Sequence, residues 1–164
     1  MNYFYSDPHF SHEAMLKYEP IRGEMFLNVP EMNEYLIKEY NKVVNRTDTV
    51  YFLGDISFCG KDETERLIRR MKGNKVLILG NHDRSRSPKF WMDVGFNWAS
   101  KLPVIWENGI ILSHEPIIEF GGVVPKNIHG HLHSKTTGLA NHFCASVEST
   151  NFKPVSWEEI KNKT

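Results

Sequence analysis

Short apolar runs alternate with helical patterns along this chain. Tyr3 to Tyr5 reads as an opening strand. In residues 30–45, Met32, Leu36, Tyr40 and Val43 recur at helical spacing and predict a helix with one buried face, and Pro30 suits its first turn. Val50-Tyr51-Phe52-Leu53 and Val76-Leu77-Ile78-Leu79 are unbroken apolar runs, short enough for strands covered on both faces. Between them, residues 62–72 read as a charged, solvent-facing helix with Leu67, Ile68 and Met71 turned inward. The second half differs. Leu102 to Trp106, then Glu107-Asn108-Gly109, then Ile110-Ile111-Leu112 predicts a hairpin with an Asn-Gly turn. One strand is expected before Gly130 and another near Phe143 to Val147. Ser156 followed by Glu159 is a capping-box pattern opening a terminal helix. The sum is β-α-β-α-β followed by a mostly β half, an α/β class.

Composition narrows this picture. No Pro/Gly/Ser-rich linker divides the 164 residues, so one domain over 1–164 is expected. Lys+Arg and Asp+Glu are both 20, which removes a domain-wide basic footprint for nucleic acid. Arg66, Arg69, Arg70 and Lys72 are where a local contact would be sought, although such a row is usually a solvated face. Cys59 and Cys144 lie far apart and in no C-x-x-C pattern, which speaks against a disulfide framework and fits a reducing compartment. The start has no basic segment leading into an apolar one, and no apolar run approaches the roughly 18 residues of a membrane span. A cytoplasmic protein without membrane partners is the expectation.

The chemistry lies at the end of each apolar run. Asp7-Pro8-His9 comes after the first, Gly54-Asp55 after the second, Gly80-Asn81-His82-Asp83 after the third, Ser113-His114 after the fourth, and His129-Gly130-His131-Leu132-His133 after the fifth. Sites in open α/β sheets form beyond the carboxyl ends of strands, so one sheet edge would collect these side chains. Asp7, His9, Asp55, Asn81, His114, His131 and His133 offer nitrogen and oxygen but no thiolate. That set suits Mn, Fe, Zn, Ni or Mg rather than a structural zinc site. Seven ligands exceed the needs of one ion. Two ions roughly 3.5–4 Å apart, sharing a carboxylate, are a standard arrangement for displacement at phosphorus.

These five motifs, in this order over residues 7 to 133, resemble the calcineurin-like metallophosphoesterase superfamily. The opening Asp-x-His-Phe-Ser-His and the ending from Ser146-Val147-Glu148 to Lys153-Pro154-Val155-Ser156 are similar to its small bacterial and phage branch. The resemblance implies a four-layer α-β-β-α sandwich of two mixed sheets flanked by helices. It implies two divalent transition-metal ions, Mn²⁺ foremost. Asp7, His9 and His133 would hold the first, Asn81, His114 and His131 the second, and Asp55 would bridge them. A hydroxide between the ions would attack a phosphate mono- or diester in line, while His82 assists the leaving oxygen and Asp83 orients His82. Two rival readings are a nuclease acting on nucleic acid and a non-catalytic scaffold of the same fold. Scaffolds lose the catalytic His or metal ligands, which this chain keeps.

Further residues have two readings each. His12 would contact substrate or serve as an exposed or capping histidine. Arg84 and Arg86 would meet phosphate or belong to a solvated loop. His129 would support a neighbouring ligand, His142 would sit in a loop, and Cys59 would be buried and inert. Ile56-Ser57-Phe58 stands where many relatives place another Asp or Arg. Loops 18–29 and 117–127 would set substrate choice.

Overall fold

The computed structural model describes residues 1–162. β1 (Asn2–Tyr5), β2 (Thr49–Phe52), β3 (Asn74–Ile78) and β4 (Trp98–Ser100) lie side by side and parallel. Parallel neighbours need crossovers, and helices provide them. α1 (Met15–Tyr18), α2 (Pro20–Met25) and α3 (Val29–Val43) join β1 to β2. α4 (Lys61–Ile68) joins β2 to β3, and α5 (Pro88–Asp93) joins β3 to β4. A second sheet follows in the order β5 (Val104–Ile105), β6 (Ile111–Leu112), β7 (Asn127–His129) and β8 (His142–Cys144). β5 runs antiparallel to β6, and the rest are parallel. β9 (Val155–Ser156) returns to pair antiparallel with β1, and α6 (Trp157–Lys161) ends the described chain. The result is the implied pair of mixed sheets flanked by helices. Among the described residues, no helix is long and apolar enough to cross a membrane.

Successive strand residues face opposite sides, so the first sheet feeds two cores. Tyr3, Tyr5, Val50, Phe52 and Leu77 pack with Met32, Leu36, Tyr40, Leu67 and Trp91 of the helices. Phe4, Leu53 and Ile78 pack instead with Leu112 and Ile128 of the second sheet and Ile160 of α6. Burial on both faces is why these strands read as continuous apolar runs.

Local signals account for most boundaries. Asn28 caps α3, its side chain accepting the Glu31 N–H at 3.0 Å, and Pro30 lies in the first turn. The capping box at Ser156 and Glu159 forms as expected. The Asn-Gly hairpin also forms, with Asn108 and Gly109 at φ 57° and 75° and Trp106 N–H bonded to the Ile110 carbonyl at 2.7 Å. Three expectations shift. The charged helix stops at Ile68, because the chain must turn through Gly73 at φ 85° to enter β3. Residues 18–29 are no simple loop, since Pro20 starts α2 there. The strand expected from Phe143 to Val147 spans His142–Cys144, and a 3₁₀ turn occupies Val147–Thr150.

Candidate metal centre

The carboxyl ends of β1, β2, β3, β6 and β7 open onto one edge, and the expected ligands gather there. The Asp7 and Asp55 loops continue the β1–β2 ladder, with Asp7 N–H on Gly54 O at 3.0 Å and His9 N–H on Asp55 O at 3.1 Å. Two donor clusters result. Asp7, His9 and His133 form one, Asp55, His114 and His131 the other, and in each the ligand atoms lie within 4.8 Å of one another. His9 Nε2 stands 3.6 Å from Asp55 Oδ2, and His114 Nε2 stands 3.4 Å from the same oxygen, so Asp55 lies between the clusters. Asn81 joins the second, its Oδ1 2.8 Å from His114 Nε2.

Backbone shape sets these directions. Asp7, His9, Asp55, His131 and His133 all adopt left-handed backbone, with φ between 50° and 68°. Such conformations cost of order 1–3 kcal/mol each and persist only where the surroundings enforce them. Gly80 answers a different need, close approach. A Cβ there would lie 2.1 Å from Asp55 Oδ1 and 2.5 Å from the Asp55 backbone nitrogen. Gly80→Ala is therefore expected to push the Asp55 carboxylate aside and to destabilise the chain by about 1–3 kcal/mol through overpacking. Thermal melts together with metal stoichiometry check this, and a variant that melts and binds metal normally would refute it.

Asp7 Oδ2 accepts the His131 N–H at 2.9 Å and the Ser146 hydroxyl at 2.7 Å. Asp7 Oδ1 and His9 Nε2 are buried without a hydrogen-bond partner. Buried polar atoms are rarely left so, and a cation between them satisfies both. At His114, Nδ1 donates to the Leu53 carbonyl at 2.7 Å, which turns the Nε2 lone pair toward Asn81, Asp55 and His131 Nδ1, the last 3.2 Å away. That crowd of acceptors needs a proton or a metal at its centre. Burial pushes the His114 pKa down, but the Asp55 hydrogen bond and the Asp7 and Asp55 charges outweigh it and raise it to about 9. Burial raises the Asp7 pKa against the pull of His114 and His133. Burial, then Arg22 and His133, holds His9 well below its ordinary value and so in the neutral form that ligates metal. The donor set fits divalent ions of the kind expected.

The other expected residues divide. His82 is half exposed, with Nε2 3.9 Å from Asp55 Oδ2 and its backbone N–H on Asp55 Oδ1 at 3.1 Å. Asp83 does not take the partner the sequence suggested. Its carboxylate accepts the backbone N–H groups of Asp55 at 2.7 Å, Gly80 at 2.9 Å and Ile56 at 3.0 Å, rather than a His82 ring nitrogen. It is buried at a 3₁₀ turn, where the Gly80-Asn81-His82-Asp83 loop meets the Asp55 loop, so it braces both. His12 reaches the edge of the site, Nδ1 3.1 Å from His9 Nδ1. His129 is buried, with Nδ1 2.8 Å from Gly130 O and its ring near His142, outside both clusters. Arg84 pairs with Glu115 at 3.3 Å on the rim. Arg86 donates to Cys59 O at 2.6 Å and lies over Phe90, which makes it a loop clamp. Cys59 is half-buried and turns its sulfur toward Thr64. Arg66 on α4 and Arg69 and Arg70 just beyond it are held by Glu63, Glu65 and Glu34, so this basic row is largely neutralised.

Sequence reasoning missed Arg22 and the work of Glu148. Arg22, on α2, is fully buried and donates to the Asp7 carbonyl at 2.6 Å and the Pro8 carbonyl at 2.8 Å. Its Nε also donates to Glu148 Oε1 at 2.7 Å, and the same oxygen lies 3.2 Å from His133 Nδ1. One buried ion pair thus clamps the Asp7 loop and orients His133 of the first cluster, the kind of support that metal-binding histidines commonly have. An Arg among Pro20, Ile21 and Gly23 carries no periodic signal, since only its partner 126 residues away reveals it.

Comparison with known proteins agrees with this geometry. An uncharacterized protein of Methanocaldococcus jannaschii, MJ1445, is 35% identical over 96% of this chain and 88% of its own length. The Gene 66 protein of Mycobacterium phage L5 is 28% identical over 80% of this chain and 77% of its own. The crystal structure of AQ665, a protein of unknown function from Aquifex aeolicus, superimposes with a TM-score of 0.75 at 28% identity, covering 99% of this chain and 98% of that one. The family model of the calcineurin-like phosphoesterases matches residues 3–162, nearly the whole described chain and every candidate ligand above, and the chain belongs to that family.

Proposed function

We propose that the chain is a binuclear metal-dependent hydrolase of phosphate mono- or diesters. Asp7, His9 and His133 would hold one ion, Asn81, His114 and His131 the other, and Asp55 both. The observation that carries this is the pair of adjacent clusters, with Asp7 Oδ1 and His9 Nε2 of the first buried and unpartnered. Two divalent ions, Mn²⁺ as first choice, supply an activated water and neutralise charge on the phosphoryl group. The chain's own residues do the rest. Asp83 fixes the turn that presents His82, and Asp55 Oδ1 anchors His82 by its backbone. The half-exposed His82 ring then protonates the leaving oxygen. Exposure of both His82 and His131 supports a diester as well as a monoester as substrate.

The test uses Mn²⁺-loaded protein on paired aryl monoester and diester substrates, where turnover of the aryl diester is expected. A positioned acid contributes about 10²–10⁴-fold, so His82→Ala should lose turnover on that scale with alkyl leaving groups. The loss should shrink with nitrophenolate, which needs no proton. Elemental analysis should find both ions still bound, because His82 is no ligand. A variant that sheds an ion would make it one, and a loaded wild-type protein that turns over neither ester class would end the proposal.

A further inference from the structure

Phe58 is an exposed aromatic at the mouth of a site otherwise built from imidazoles and carboxylates. Its ring stacks on His12 with centroids 3.6 Å apart and planes 12° apart. The same ring lies 4.9 Å from His82 and 5.2 Å from His9. About a third of Phe58, 36%, stays open to solvent. It is not a stray side chain on a loose loop. Its N–H donates to Phe10 O at 2.9 Å, Ser57 pairs with Phe10 in an isolated bridge, and Arg86 clamps the next carbonyl, that of Cys59. The Ser57 hydroxyl is bonded to Thr64 at 2.8 Å. A held aromatic has already lost the freedom that binding would otherwise take away, so contact with it translates into affinity.

Resting on the phosphoesterase reading, we propose that Phe58, backed by His12, is a stacking surface for the base of a nucleotide ester. The base would lie on the His82 side of the metal clusters. Phe58 lies beside both His82 and His9, so a group esterified to a phosphate at the clusters and leaving past His82 would meet its ring. A planar base matches an aromatic wall, whereas a sugar or alkyl chain gains little from it. Arg66, Arg69 and Arg70 are already held by carboxylates and the net charge is zero, so a mononucleotide-sized ligand fits better than a polymer that needs a cationic track.

The experiment measures binding of AMP, ribose 5-phosphate and inorganic phosphate to the Mn²⁺-loaded full chain by titration calorimetry, which needs no turnover. Stacking of one base is worth roughly a ten- to hundredfold gain in affinity. AMP is therefore expected to bind at least about tenfold more tightly than ribose 5-phosphate. Phe58→Leu should erase that ratio, Phe58→Trp should keep it, and neither should change the affinity for inorganic phosphate. Equal affinity of the wild type for AMP and ribose 5-phosphate overturns the proposal, as does a ratio that survives Phe58→Leu. Because these are binding ratios, a protein that discriminates AMP yet hydrolyses no ester would sink the catalytic reading and leave base recognition standing.

Discussion

Replacing Arg22 with methionine is expected to be among the most damaging single changes to stability. The guanidinium is fully buried and neutralises a Glu148 that is itself buried. Breaking a buried ion pair from one side costs about 3–5 kcal/mol, because the remaining charge is stranded. In a chain of this size each kcal/mol lowers the melting temperature by roughly 2–4 °C, so a fall of about 6–20 °C is expected. The Asp7 and Pro8 carbonyls lose their donors as well, so the first ligand loop should loosen. Glu148→Gln separates the two effects. It keeps an acceptor for His133 but weakens its orientation, and the first ion should bind about 10–100-fold less tightly. Thermal melts of the metal-free protein read the first effect, and metal titration reads the second. An Arg22→Met protein that melts with the wild type would show that the pair contributes nothing to the fold.

Asp55→Asn should have the largest effect on the site. Asp55 Oδ2 lies near both His9 Nε2 and His114 Nε2, so the substitution removes a charge beside both clusters at once. Under the binuclear reading, metal content should fall from near two ions per chain toward one or none. Loss of metal-supplied charge stabilisation amounts to several kcal/mol, about three orders of magnitude in turnover. Elemental analysis after Mn²⁺ reconstitution, paired with aryl diester kinetics, checks both. Two ions retained in the variant would remove Asp55 from the bridging position.

β1, β2 and β3 were legible because burial on both faces writes an unbroken apolar run, and α3 was legible from its spacing and its Pro30. The loops bearing the candidate ligands were legible because each begins where such a run stops. What escaped was carried by pairing rather than by pattern. Arg22 looks like any surface arginine until Glu148 is placed against it. Asp83 looked like a partner for the next ring, but its two oxygens are consumed by backbone N–H groups that only the folded loops bring together. α5 and β4 are too short for periodicity to announce. Ser87 and Pro88 do mark the start of α5, with the Ser87 hydroxyl accepting the Phe90 N–H at 3.2 Å.

The left-handed backbone at positions 7, 9, 55, 131 and 133 bears on how such a chain would decay. Aspartate and histidine are among the few non-glycine residues enriched in this region, and their side chains can also bind metal. Under the binuclear reading, metal binding and backbone shape select the same letters at the same places. A lineage released from the chemistry would keep only the demand for shape, which glycine meets best. Glycine at several of these positions, with Arg22 and Glu148 retained, would mark a descendant that preserves the architecture after surrendering its ions.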